Sequence, residues 1–95
     1  MIDTLKGLKE YLQKGKRVEC KMFNKVTKNE VNSNITGIRK VVKKQTNKIM
    51  FRNMNNNKDS WFKIPKRDNI KFTNNYFTID VFFPDNCELR YYYLD

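Results

Sequence analysis

Leu5-Lys6-Gly7-Leu8-Lys9-Glu10-Tyr11-Leu12-Gln13-Lys14-Gly15-Lys16-Arg17-Val18-Glu19-Cys20-Lys21-Met22 changes its hydrophobic period part-way along. Before Gly15 the apolar residues Leu5, Leu8, Tyr11 and Leu12 fall three and four apart, which lines them along one face of a helix. After it, Val18, Cys20 and Met22 alternate with Arg17, Glu19 and Lys21, as in a strand with one buried face. These residues predict an amphipathic helix over about 4–14, with Asp3 as N-cap and Gly15 as its stop, feeding directly into a strand. The outer positions Lys6, Lys9, Glu10, Gln13 and Lys14 suit the solvated face of a helix docked on a sheet better than a membrane-surface helix.

Downstream the period of two persists with interruptions. Residues 24–34 carry four Asn and no periodicity, and read as a loop or irregular hairpin. Ile35 to Val42 reads as a second strand, with Gly37 where a bulge or sharp bend would fit. Lys43-Lys44-Gln45-Thr46-Asn47-Lys48 is a polar hairpin tip leading into Ile49–Arg52. Asn53 to Ser60, with Asn55-Asn56-Asn57 in its middle, is a turn. Trp61–Ile64 is a short strand ended by Pro65, Lys66-Arg67-Asp68-Asn69 turns, and Ile70-Lys71-Phe72 resumes the alternation. At the C-terminal end Phe77, Ile79, Val81 and Phe83 alternate, Pro84-Asp85-Asn86 turns, and Cys87, Leu89, Tyr91 and Tyr93 alternate again. Closing a hairpin at that turn pairs Phe83 with Cys87, Val81 with Leu89, Ile79 with Tyr91 and Phe77 with Tyr93, with Thr78 opposite Tyr92 and Asp80 opposite Arg90 on the other face.

A helix followed by short strands on tight turns predicts an α+β fold: an N-terminal amphipathic helix and a strongly bent five- or six-stranded antiparallel sheet or small barrel. The order of elements resembles Sm-like and SH3-like small barrels. Leu12-Gln13-Lys14-Gly15-Lys16-Arg17-Val18 resembles the start of an Sm-like fold, and Arg67-Asp68-Asn69-Ile70 its second motif. The resemblance implies a small barrel. It transfers no binding residues, because the Asp and Gly that the family places in its middle strands have no counterpart and the aromatic C-terminal hairpin is an addition.

The chain of 95 residues fits one domain, 1–95, and its 39% hydrophobic and 14% aromatic content fills a small core. No stretch nears the roughly 18 apolar residues of a membrane span, and Met1-Ile2-Asp3 opens no export signal, so a cytoplasmic protein with no membrane partner is expected. Twenty Lys and Arg against ten Asp and Glu give +10. Residues 1–50 hold 13 basic and 4 acidic side chains, so that half carries +9. A surface so charged attracts phosphates or an acidic protein. Fifteen Lys, thirteen Asn and seven Ile with no Ala also fit an AT-rich genome, which raises Lys without any function.

Catalytic chemistry is missing from the pattern. There is no His, no acidic pair at a shared spacing and no phosphate-cradling glycine loop, and two distant cysteines cannot make a zinc site. No enzyme, cofactor or metal is expected, and Cys20 and Cys87 read as small buried hydrophobes. The candidate site is therefore a binding surface. Arg39, Lys40, Lys43, Lys44 and Lys48 on the central hairpin, with Lys14, Lys16 and Arg17 at the helix end, are expected to contact nucleic-acid phosphates. Trp61, with Lys63, Lys66 and Arg67 near it, offers a ring on which a base can stack; the alternative is a Trp that caps the core. Trp61, Tyr76, Phe82 and Tyr92 share the parity opposite to the core residues. Two functions compete: a basic module for single-stranded or structured nucleic acid, and a phage- or plasmid-type small protein that inhibits a host protein or nucleoprotein defence complex through an acidic surface. Homo-oligomerisation through strand edges is a third possibility.

Overall fold

A computed structural model describes residues 2–79 and 86–95, and the account that follows concerns those residues. The helix α1 spans Leu5–Gln13. Its N-cap is Thr4 rather than Asp3: the Thr4 backbone is extended and its hydroxyl accepts from the Gly7 amide at 3.0 Å, satisfying one of the orphan donors of the first turn. Gly15, at φ +77°, turns the chain out of the helix as expected.

Eight strands follow, β1 (Val18–Asn24), β2 (Glu30–Val31), β3 (Gly37–Lys44), β4 (Lys48–Asn53), β5 (Lys58–Lys63), β6 (Ile70–Phe72), β7 (Tyr76–Ile79) and β8 (Cys87–Tyr93), in one antiparallel sheet ordered β5-β4-β3-β1-β8-β7-β6. The five or six strands expected are too few. The aperiodic stretch 24–34 hides β2, which pairs Met22 with Val31 and so fills the half of β1 that β3 leaves open, since β3 pairs only with Val18, Glu19 and Cys20.

The sheet curls into a half-barrel. In a flat sheet β5 and β8 would lie four strand spacings apart, about 19 Å. The Phe62 ring on β5 nevertheless reaches Tyr91 on β8 at 5.6 Å and Phe77 on β7 at 6.2 Å, so the two ends of the sheet meet through aromatic side chains across the interior. Val18, Cys20, Ile49, Phe51, Phe77, Leu89 and Tyr91 line the inner face, with Leu8, Tyr11 and Leu12 of α1 buried in the same core. The alternations that the sequence displays along β1 and β8 match the buried positions Val18, Cys20, Met22, Cys87, Leu89 and Tyr91, while Tyr93, the last of the series, is only partly buried.

Register differs at the C-terminal pair. Phe77 lies opposite Tyr91, Thr78 opposite Arg90 and Tyr76 opposite Tyr92, two residues away from the pairing of Phe77 with Tyr93 that the sequence suggests. A slip of two leaves every side chain on its own face, so the hydrophobic pattern cannot separate the two registers. Packing does: Phe77 stacks on Tyr91 at 4.9 Å and 8°, while Tyr93 is released to meet Tyr11 edge-on at 5.0 Å. The pairings expected for Asp80, Val81 and Phe83, and the turn at Pro84-Asp85, lie outside the described residues.

Gly37 opens β3 at φ +132°, a conformation that L side chains rarely adopt, and a Cβ there would sit 2.5 Å from Asn55 Nδ2. The bulge expected near it occurs instead between Val41 and Lys43. Crowding at Gly37 comes from the Asn-rich turn, where the Asn55 amide donates to the Thr36 carbonyl at 3.2 Å and Asn57 holds φ +58°. Those asparagines thus have structural work to do, whatever the genome's composition. Gly37→Ala is expected to cost about 1–3 kcal/mol. Thermal unfolding would show it as a fall of several degrees in Tm, and an unchanged Tm would contradict the crowding described here.

Candidate nucleic-acid interface

The outer face of β3, β4 and β5 gathers four of the eleven expected cations, Lys40, Lys43, Lys48 and Lys63. Directly opposite residues share a face of a sheet. Lys40 lies opposite Arg52 and Arg52 opposite Asp59; Lys43 lies opposite Met50 and Met50 opposite Trp61; Lys48 lies opposite Lys63. All of these have the parity opposite to buried Ile49 and Phe51. The bulge after Val41 decides the membership of the group. Unbroken alternation from Lys40 would turn Lys43 inward, and the extra residue re-aims it outward, beside Met50.

Trp61 stands on this face 42% exposed, with the Lys48 ammonium 4.3 Å from its ring centroid. Arg52, which the sequence does not single out, is tied to Asp59 through Nε at 2.8 Å and Nη2 at 3.2 Å. That hydrogen bonding holds the Asp59 carboxyl below the usual carboxylate range, with further help from the charge of Lys43. One fixed carboxylate therefore faces Lys40, Lys43, Lys48, Arg52 and Lys63, and the face is net positive.

The remaining candidates are elsewhere. Lys44, next to Lys43 in sequence, pairs with Ile49, and its ammonium donates to the Gln13 carbonyl at 2.6 Å. It satisfies the C-terminal end of α1. Arg17 is engaged by Asp95, whose carboxylate accepts from the Arg17 amide at 2.6 Å and from its guanidinium at 3.1 and 3.4 Å. Lys16 sits 5.6 Å from the Tyr11 ring, and Lys14 caps the helix. A helix C-terminus carries partial negative charge, so cations suit it and a phosphate does not. Arg39 turns inward on the row of Val18, its guanidinium donating to the Ile35 carbonyl. Lys66 and Arg67 are exposed at the 3-10 turn Arg67–Asn69 beyond β5, outside the strand register.

The Arg17–Asp95 contact belongs to a latch. The Tyr11 hydroxyl donates to the Arg17 carbonyl at 2.7 Å and accepts from the Leu94 and Asp95 amides at 3.2 Å, joining α1, β1 and the end of β8. Hydrogen bonds from Arg17 hold the Asp95 carboxyl below its ordinary value. A lowered folded-state pKa contributes stability that is complete above the unfolded value of about 3.9 and disappears as pH falls through the lowered one. Asp95→Asn should therefore narrow the difference in Tm between pH 7 and pH 3. An unchanged difference would show that the latch does not contribute.

A second outer region, on β1, β8 and β7, is legible in the sequence only as a shared parity of Tyr76 and Tyr92. Their rings lie 4.8 Å apart, and Arg90 lies over Phe23 at 4.1 Å and Tyr76 at 4.9 Å, with Glu88 2.9 Å away. Lys25, Lys28 and Lys71 rim a hollow of about 290 Å³ nearby. Nothing in the aperiodic stretch around Lys28 marks it in the sequence.

Cys20 and Cys87 are both buried, and burial pushes the Cys20 thiol up, away from a reactive thiolate. Among the described residues no helix is long and apolar enough to cross a membrane. No protein-family model matches the chain, and no curated protein matches it. Fold and surface together define a small α+β half-barrel with a basic, tryptophan-bearing outer face.

Proposed function

We propose that the protein is a non-enzymatic nucleic-acid-binding module that holds single-stranded or structured RNA or DNA on the outer face of β3, β4 and β5. The observation that carries this reading is the exposed Trp61 ring set among Lys40, Lys43, Lys48 and Lys63 on adjacent strands. A base stacks on the ring while the ammonium groups follow the phosphates, an interaction worth about 1–3 kcal/mol per base and tolerant of sequence. Lys48 now occupies one approach to the ring, but an exposed cation–π contact is worth only about 0.5–1 kcal/mol. Stacking wins that exchange, and the displaced ammonium gains a phosphate. Major-groove reading does not suit the molecule, because α1 spends Leu8, Tyr11 and Leu12 on the core.

A phage- or plasmid-type inhibitor of a host protein is the second reading, favoured by the edge position of β5. Its outer backbone is unpaired among the described strands, and Trp61 and Lys63 could anchor an acidic segment added there. One preparation separates the two. Purified in low salt, a phosphate binder retains host nucleic acid and shows a raised 260/280 nm absorbance ratio that a high-salt wash lowers. A thymidine oligonucleotide should then quench the fluorescence of Trp61, the single tryptophan. A protein that is clean in low salt and whose fluorescence ignores the oligonucleotide is not a nucleic-acid module.

A further inference from the structure

On the inner side of the sheet, Ile35, Arg39, Phe51, Ser60, Phe62 and Tyr91 line a pocket of about 220 Å³, which Trp61 of the outer face also borders. Its one charged group is Arg39. Arg17, Arg52 and Arg90 each pair with a carboxylate, whereas no ion pair is formed by Arg39 among the described residues. One Nη of Arg39 donates to the Ile35 carbonyl, but its Nε–H is buried without a hydrogen-bond partner. The polar neighbours supply no negative charge: burial raises the pKa of both the Cys20 thiol and the Tyr91 phenol, leaving them neutral at pH 7. An uncompensated, half-buried guanidinium is costly, and its free donor is unsatisfied as well.

We propose that this pocket binds a small aromatic carboxylate, whose anionic group meets Arg39 Nε and whose ring lies against Phe51, Phe62 and Tyr91. Charge complementarity fixes the sign of the ligand, since a guanidinium donates to carboxylates and neutralises them. Size fixes its extent. The volume falls below the roughly 300–1,000 Å³ of pockets for drug-sized ligands, leaving room for one ring and its substituent. The aromatic walls favour a planar apolar body over a bare inorganic anion. None of the lysines of the nucleic-acid reading lines the pocket, although Trp61 borders both.

Benzoate is the probe, followed by calorimetry and by Trp61 fluorescence, with neutral benzamide and inorganic phosphate as comparisons. Saturable benzoate binding is expected, with benzamide and phosphate each weaker by about tenfold or more. Arg39→Met should abolish benzoate binding while the Tm of the free protein holds or rises, because the variant removes a charge without a partner. Lys43→Gln should leave the binding unchanged. The proposal is overturned if benzoate fails to saturate, if benzamide or phosphate binds equally well, or if Arg39→Met binds as the wild type does. Should Arg39→Met fail to fold, the benzoate–benzamide comparison on the wild type still decides.

Discussion

Phe77→Ala is expected to destabilise the protein by about 3–5 kcal/mol, out of a total of about 5–15 kcal/mol for a domain of ordinary stability. Phe77 is fully buried, and its ring stacks on Tyr91 at 4.9 Å, meets Tyr93 at 5.9 Å and reaches Phe62 on the opposite end of the sheet at 6.2 Å. The residue thus does more than fill volume: it ties β7 to β5 across the interior, and truncation leaves a cavity where the curl closes. Phe77→Leu, which keeps most of the volume, should cost less than half as much. Urea unfolding monitored by circular dichroism gives both values. A loss below about 1 kcal/mol for Phe77→Ala would show that the aromatic cluster does not hold the half-barrel together.

The second large effect concerns the outer face. Lys43→Gln, Lys48→Gln and Lys63→Gln combined should weaken binding to unrelated single strands alike, by roughly 100-fold at about 50 mM salt, and flatten the log–log salt dependence by about 0.7 for each lysine–phosphate pair removed. The fold should persist, since none of the three belongs to the core. Lys44→Gln is the informative control. Its ammonium is bound to the Gln13 carbonyl, so the substitution should lower stability slightly and leave the salt dependence alone. Fluorescence anisotropy at several salt concentrations measures wild type and both variants. Equal salt slopes for wild type and triple variant would remove the outer face from consideration.

The contrast between Lys43 and Lys44 shows what can be read in advance and what cannot. Hydrophobic period locates α1 and assigns the buried positions of β1 and β8, because burial of one face is enforced at every second residue. It cannot count the strands, since β2 is two residues long and without alternation. Nor can it choose between registers two residues apart. For the site, composition and the half-by-half charge count reveal a basic surface but not its geometry. Val41-Val42-Lys43 carries no sign of the bulge that sends Lys43 outward and Lys44 toward the helix. Arg17 reads as a free cation in the sequence because the carboxylate that claims it lies 78 residues away. Local sequence is silent about partners that only folding brings near. Arg39, grouped with its hairpin neighbours by sequence, is separated from them by the pleat alone.

Nuclear magnetic resonance mapping puts the outer-face reading to its sharpest test. Isotope-labelled protein is titrated with a short thymidine oligonucleotide in low salt, following the backbone amides and the Trp61 indole N–H. Progressive shifts are expected at Lys40, Lys43, Lys48, Met50, Trp61 and Lys63, reversed by added salt, with Lys14, Lys16 and Arg17 unmoved. Shifts concentrated at the helix end or around Lys25, Lys28 and Lys71, or no shifts at all, would contradict it.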